Sequence, residues 1–212
     1  MKHLKTIILA ISAGFFIGIG GVVSLMQENK IAGAFLFSIG LLTILVFKFN
    51  LYTGMVGYVL ESLKKKKFEY LLTVFLVWLG NYMGTALCAG LIRLTPLADK
   101  IVPKCETNVQ AKLENSWYAF LILGIFCGVL MFIAVDTYKK NIEKKDFLCV
   151  VAVFMGVMVF ILAGFEHSIA DMFYFTLTGH FVDILLPLLL ITIGNALGGN
   201  LIPIIQELTY EK

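Results

Sequence analysis

Charge is what this sequence has least of. Lys, Arg, Asp and Glu make up 15% of its 212 residues, against roughly 25% in a soluble domain. With 59% hydrophobic residues and a mean hydropathy of +0.91, that shortfall excludes an ordinary soluble globule and describes a polytopic membrane protein of one domain. Cysteine is scarce too. Cys88, Cys105, Cys127 and Cys149 form no C-x-x-C pair, and only Cys105 lies outside the apolar runs. They read as small buried hydrophobes plus one exposed loop thiol, with no disulfide framework, no metal site and no cofactor. H-E-x-x-H is missing, as is a second His/Asp cluster, which argues against a membrane-embedded enzyme built on Glu166 and His167. No N-P-A motif occurs, which argues against an aquaporin-type pore for neutral solutes. Loops long enough to hold a receptor domain are also lacking; the longest runs from Leu94 to Asn115.

What is present is a series of six apolar runs. They are Thr6 to Met26, Ile31 to Leu63, Tyr70 to Ile92, Ser116 to Val135, Phe147 to Thr178, and about Ile184 to Ile205. The first is too long for the apolar core of a signal peptide, so it reads as an uncleaved first helix. Placing the N-terminus in the cytoplasm puts eleven of the seventeen basic residues inside: Lys2, Lys5, Lys64 to Lys67, Lys139, Lys140, Lys144, Lys145 and Lys212. Lys30, Lys100, Lys104 and Lys112 fall outside. This bias predicts a multi-pass protein of the cell (cytoplasmic) membrane with both termini cytoplasmic. It also accounts for the lysine run 64–67 without a nucleic-acid partner.

The second and fifth runs are too long. As continuous helices of about 33 and 32 residues they would extend about 50 Å, against a hydrocarbon core of ~30 Å. Each carries polar residues part-way along: Lys48 and Asn50 in one, Glu166 and His167 in the other. A break in each helix, with irregular backbone facing a cavity, absorbs both the length and the polarity. The stretch G-F-E-H-S-I-A-D-M at 164–172 holds Glu166, His167 and Asp171, and ionisable groups at such depth mark a functional site by default.

Shifting the chain by 114 residues lays Gly80-Asn81-x-x-Gly84 on Gly194-Asn195-x-x-Gly198, Gly14 on Gly128, and Thr53 on His167. One ungapped offset thus pairs spans one to three with spans four to six. An odd number of spans per half gives the halves, about 1–95 and 116–212, opposite topology. The expected fold is an all-α polytopic membrane protein, an inverted 3+3 repeat with helices 2 and 5 broken. That symmetry predicts that Thr53 and His167 approach each other. The glycines are expected to serve close helix packing.

The motifs at 164–172, F-S-I-G-L at 37–41, L-Y-T-G at 51–54 and G-N-A-L-G-G at 194–199 resemble the formate/nitrite transporter family of anion channels. The resemblance covers nearly the whole chain. It implies an aquaporin-like protomer with its own pore, five protomers to an assembly, and no enzymatic activity. It also implies a central His at 167, a mid-pore Thr at 53, apolar constrictions at Phe37, Leu41, Leu51 and Phe160, and a vestibule Lys at 112. The chain departs from the family's usual motifs at Tyr52, Gly54 and Asp171, and has Lys48 and Asn50 in the break of the second run. These departures resemble the hydrosulfide branch more than the formate or nitrite channels.

Physical chemistry adds roles. A bare anion in an apolar neck loses its hydration at prohibitive cost, whereas a neutral weak acid does not. His167 is expected to donate either a proton or a neutral N–H hydrogen bond. Lys112 and Lys48 would concentrate anions at the two mouths. Glu166 should turn from the pore, toward backbone N–H groups or a cation. Asp171, near a helix start, should cap it. Asn81 and Asn195 should tie helices to the breaks, and Arg93 should snorkel to the outer interface. The expected partners are hydrosulfide, formate or nitrite, or the neutral acid, together with the lipid bilayer and sister subunits.

Overall fold

The computed structural model describes residues 2–180 and 183–209; Lys212, counted above with the inner lysines, lies outside them. The described residues form α1 (Lys2–Leu25), α2 (Lys30–Val46), α3 (Val59–Lys64), α4 (Glu69–Arg93), α5 (Ala98–Leu113), α6 (Trp117–Asn141), α7 (Leu148–Ala163), α8 (Ser168–Thr178) and α9 (Leu185–Thr209). Among them α1, α4, α6 and α9 are long and apolar enough to cross a membrane. The α7–α8 pair is long and apolar enough only when taken together and is bent by 54° at its break, and α2 is a shorter apolar helix of 17 residues. Both over-long runs are therefore interrupted. The first has irregular chain from residue 47 and a 3-10 turn at Val56–Tyr58 before α3.

Local sequence sets these ends. Asn29 starts α2 by accepting the N–H groups of Ile31 and Ala32 at 2.8 and 3.1 Å, satisfying donors that a helix start leaves free. Gly164 ends α7 at φ 73°, a left-handed conformation that a side chain disfavours.

Two close crossings, α1 on α4 and α6 on α9, clamp these helices together. A Cβ on Gly14 would overlap the carbonyl of Asn81, and one on Gly128 the carbonyl of Asn195. Where apolar lipid gives helices no hydrophobic reason to associate, such backbone contact supplies the packing. The outward faces carry Phe35, Leu72, Phe75, Phe126, Met155 and Leu197, all exposed. The core holds Phe37, Leu41, Met131, Phe160, Ile169 and Met172.

Two expectations fail here. The stretch from 94 to 115 is not a loop but largely the helix α5. Its Ile101, Cys105 and Val109 recur every fourth residue, pack against Phe173, Phe175 and Leu177 of α8, and are fully buried. Cys105 is consequently no exposed thiol: all four cysteines are buried, and burial pushes the Cys105 thiol up to about 12.

Candidate functional site at the two helix breaks

An asparagine holds each break. Asn81 of α4 accepts the Tyr52 N–H at 2.8 Å and donates to the carbonyls of Ala10 and Asn50 at 2.8 and 2.9 Å. Asn195 of α9 accepts the Ser168 N–H and donates to the carbonyls of Gly124 and Glu166, all at 2.9 Å. The Asn50 N–H donates to Leu9 and the Glu166 N–H to Leu123. A single side-chain amide thus replaces the hydrogen bonds that the interrupted helix gives up, and both asparagines are fully buried.

These contacts correct the register within the breaks. Ala10 and Gly124, like Asn81 and Asn195, are 114 apart, whereas Asn50 matches Glu166 and Tyr52 matches Ser168, a shift two residues larger. By this network the counterpart of His167 is Leu51, not Thr53. An insertion before the second break is offset by a deletion after it, so an ungapped comparison passes over both.

Thr53 and His167 nevertheless meet. Thr53 Oγ1 lies 2.9 Å from His167 Nε2, and both residues are 2% exposed. His167 is also the N-cap of α8, its Nδ1 accepting the Ala170 N–H at 3.1 Å. A ring nitrogen that accepts cannot carry a proton, so in this arrangement the imidazole is neutral and holds its hydrogen on Nε2. Nε2–H then donates to Thr53, leaving the threonine O–H free to donate elsewhere. Phe160 stacks on the imidazole, with centroids 5.4 Å apart and planes at 22°. Phe37 meets Phe160 edge-on at 6.0 Å.

Two cavities approach this group from opposite ends. One, of about 610 Å³, is lined by Lys48, Asn50, Tyr138 and Lys139 and ends on Leu41 and Leu51. The other, of about 550 Å³, is lined by Lys104, Lys112 and Asp171 and ends on Phe160 and His167. Leu41, Leu51, Phe37 and Phe160 are each at most 4% exposed. All four are thus buried apolar side chains, with Phe160 against His167 and Phe37 against Phe160.

Lys112 and Asp171 are arranged differently from expectation, while Glu166 turns to a cation, one of its two expected partners. Lys112 of α5 bonds Glu166 Oε2 and lies 3.1 Å from Asp171 Oδ1. Burial disfavours its charge, but the Asp171 and Glu166 carboxylates more than reverse this and hold the ammonium well above the ordinary lysine range. Its positive charge is therefore shared with two carboxyl groups of the cavity wall. Asp171 does not cap α8: it sits in the first turn with its carboxylate on Lys112, and the imidazole supplies the cap. Glu166 takes the cation rather than the backbone amides. Lys48, at φ 56°, is exposed at the rim of the first cavity. Arg93 is exposed at the end of α4.

Two residues with a place in the site escaped the sequence reading. Lys139 donates to the Gly54 carbonyl at 3.2 Å and lies over the Tyr58 ring, which puts a cation beside the first break; in sequence it was one more inner lysine. Thr192 of α9 ties to the first break and to α4, accepting from Tyr52 Oη at its carbonyl and from Trp78 Nε1 at its hydroxyl. Trp78 and Thr192 are 114 apart, so the same shift carried a signal for them.

Comparison with known proteins places this geometry. The family model described as "Formate/nitrite transporter" matches residues 1–207. The formate channel FocA of Escherichia coli (strain K12) is 28% identical over 95% of this chain and 85% of its own length. FocA of Haemophilus influenzae is 24% identical over 72% of this chain and 56% of its own, so the match spans little more than half of that relative. A solved structure described as a pentameric formate channel with formate bound superposes with a TM-score of 0.80 at 22% identity, covering 98% of this chain and 96% of that one. The relatives bear the names of channels and transporters, not of enzymes. The family model's match over residues 1–207 makes this chain a member of the formate/nitrite transporter family.

Proposed function

We propose that the chain is a membrane channel for small monovalent anions of weak acids, crossing a septum between its two cavities. The observation that carries this reading is the buried Thr53–His167 hydrogen bond, at the centre of an apolar septum with a water-accessible cavity at each end. An anion reaching Phe160 or Leu41 meets a surface that cannot replace its hydration, and one donor group. In the tautomer set by the Ala170 N–H, that donor is the Thr53 O–H, backed by Nε2–H. This supports a neutral histidine that polarises the threonine. Forming an imidazolium would require Nδ1 to give up the helix cap. The permeant species crosses as its neutral acid, or as an anion momentarily hydrogen-bonded at Thr53.

The cytoplasmic ends are those with Lys64 to Lys67 and Lys139 to Lys145, in the membrane of the cell. The chain is one channel domain, residues 1–212, of two inverted halves; the paired asparagine networks support this. By analogy with the formate-bound structure, five protomers assemble, each with its own pore. Lys48 attracts anions to the inner mouth. Tyr52, Gly54, Lys48 and Asp171 favour hydrosulfide as the cargo. Formate is the second reading, favoured by the names of the relatives, and nitrite the third.

Purified protein in liposomes tests this through hydrosulfide, formate and nitrite flux against pH, with Thr53→Ala and His167→Ala alongside. A pore running elsewhere would leave rate and selectivity unchanged in both variants. The ratio of the three fluxes identifies the cargo.

A further inference from the structure

Lys112, Glu166 and Asp171 put one cation and two carboxyl groups in a single buried cluster. Glu166 and Asp171 are 2% and 1% exposed. The ammonium touches one oxygen of each: Oε2 of Glu166 and Oδ1 of Asp171. Sharing that one ammonium brings the two carboxyl groups side by side. Among the described residues, Asp171 Oδ2 has no donor partner and is cut off from solvent. Two deprotonated carboxylates would leave the cluster with an uncompensated negative charge and one lone-pair face unsatisfied. Both are costly away from water.

Nothing else nearby cancels that charge. The titratable groups facing the pair are Lys112 and Cys105 from α5, Tyr174 from α8, Cys127 from α6, and His167 at the break. The thiols and the phenol are uncharged at neutral pH. The imidazole is neutral in the arrangement that caps α8. Among the described residues Lys112 is the one cation in an ion pair with either carboxyl group, and it is already shared; Lys104, which lines the same cavity, bonds the Gln27 carbonyl instead.

We propose that Glu166 and Asp171 together hold one proton, bound between their carboxyl groups. The proton brings the cluster to zero net charge, with one carboxylate for the ammonium. It also lets Asp171 Oδ2 act as a donor rather than stand as a buried acceptor with no donor. Carboxyl groups that share a site divide their titrations in this way, since the second ionisation must occur against the first. Asp171 creates the site, because an amide at 171 would leave a balanced Lys–Glu pair. The proton sits one residue before His167 in the wall of the second cavity, where the entering solute passes. The inference does not depend on which solute crosses, or on whether one does.

Infrared spectroscopy of the purified chain at pH 7, in an ester-free detergent, reads the proton directly. Wild type is expected to show the C=O stretch of a protonated carboxyl group, displaced to lower frequency in D2O. That band is expected to disappear in Asp171→Asn and in Glu166→Gln, because either substitution leaves one carboxylate for one ammonium. Labelling the carboxyl carbons of Asp and Glu with ¹³C gives the same assignment without substitution, should a variant fail to fold. Absence of the band from wild type overturns the proposal, as does a band that survives in both variants or ignores the label. Transport is not measured here, so failure of this proposal and failure of the channel reading are distinguishable.

Discussion

Replacing Asn195 with alanine should unfasten the second break, and the loss can be worked from its contacts. Three hydrogen bonds disappear, one received from Ser168 and two given to Gly124 and Glu166. Interhelical side-chain bonds inside membranes average about 0.6 kcal/mol each, so three give about 2 kcal/mol. That is a lower bound, because the Ser168 N–H is stranded in a region sealed from water. An orphaned buried group adds about 1–3 kcal/mol. A total of about 3–5 kcal/mol corresponds to a melting temperature lower by roughly 6–20 °C for a chain of this size. Thermal unfolding of the detergent-solubilised protein, followed by intrinsic fluorescence, measures it. Asn195→Asp keeps an acceptor for Ser168 but replaces the NH2 group, which donates twice, by an oxygen facing two carbonyls, so it should melt no higher than Asn195→Ala. Asn141→Ala, which loses one bond to its own helix at the surface, should melt with wild type. If Asn195→Ala melts within about 2 °C of wild type, the amide does not hold the break, and this account of the architecture fails.

Flux, packing and surface charge give further tests. Thr53→Val should cut flux by about 10- to 100-fold, the cost of one hydrogen bond of about 1.5–3 kcal/mol to a charged species, with Thr53→Ser restoring most of it in liposome assays. Gly128→Ala should destabilise by several kcal/mol, about 3 or more, since its new carbon meets the Asn195 backbone carbonyl; Gly90→Ala, with nothing near, should be neutral or stabilising by up to about 1 kcal/mol, both read by thermal unfolding. Lys48→Gln should slow anion uptake from its own side several-fold at low ionic strength and lose that effect in high salt. The link from α5 to the chain after α8 should depend on pH. The Glu106 hydrogen bond raises the pKa of His180, while Gln110 and then His180 lower that of Glu106. The histidine contribution is present below its unfolded value near 6.5 and fades as pH rises through the raised folded value; the carboxylate contribution fades as pH falls through the lowered one. Hydrogen-exchange protection of α5 should therefore drop from pH 6 toward pH 9, and stay level in His180→Gln.

Much of this was legible in the sequence, for identifiable reasons. Two apolar runs longer than a bilayer, each with polar residues inside, require breaks, and the breaks are there. The meeting of Thr53 with His167 followed from a shift set by G-N-x-x-G, because the amide that holds each break lies in that motif. The same shift misassigned the counterpart of His167, since paired insertions and deletions cancel outside the break. α5 was missed because its apolar stripe is narrow, one residue in four at Ile101, Cys105 and Val109, among charged neighbours and a proline at 103. The fate of Lys112 was not legible at all. Its partners lie more than fifty residues away, and only the folded chain shows that its charge is already taken.

The proposed septum between the two cavities would have an electrical consequence. Cavities of about 610 and 550 Å³ reach inward from the two ends, and conducting solution within them would carry the potential of each side almost to the aromatic contacts. Most of the transmembrane voltage would then fall across Leu41, Leu51, Phe37 and Phe160 rather than across the full width of the bilayer. A solute crossing that layer as an ion experiences the whole voltage, about 2.3 kcal/mol per 100 mV for each charge, while a neutral acid experiences none. The slope of flux against voltage would report the charge of the solute at the moment it passes Thr53.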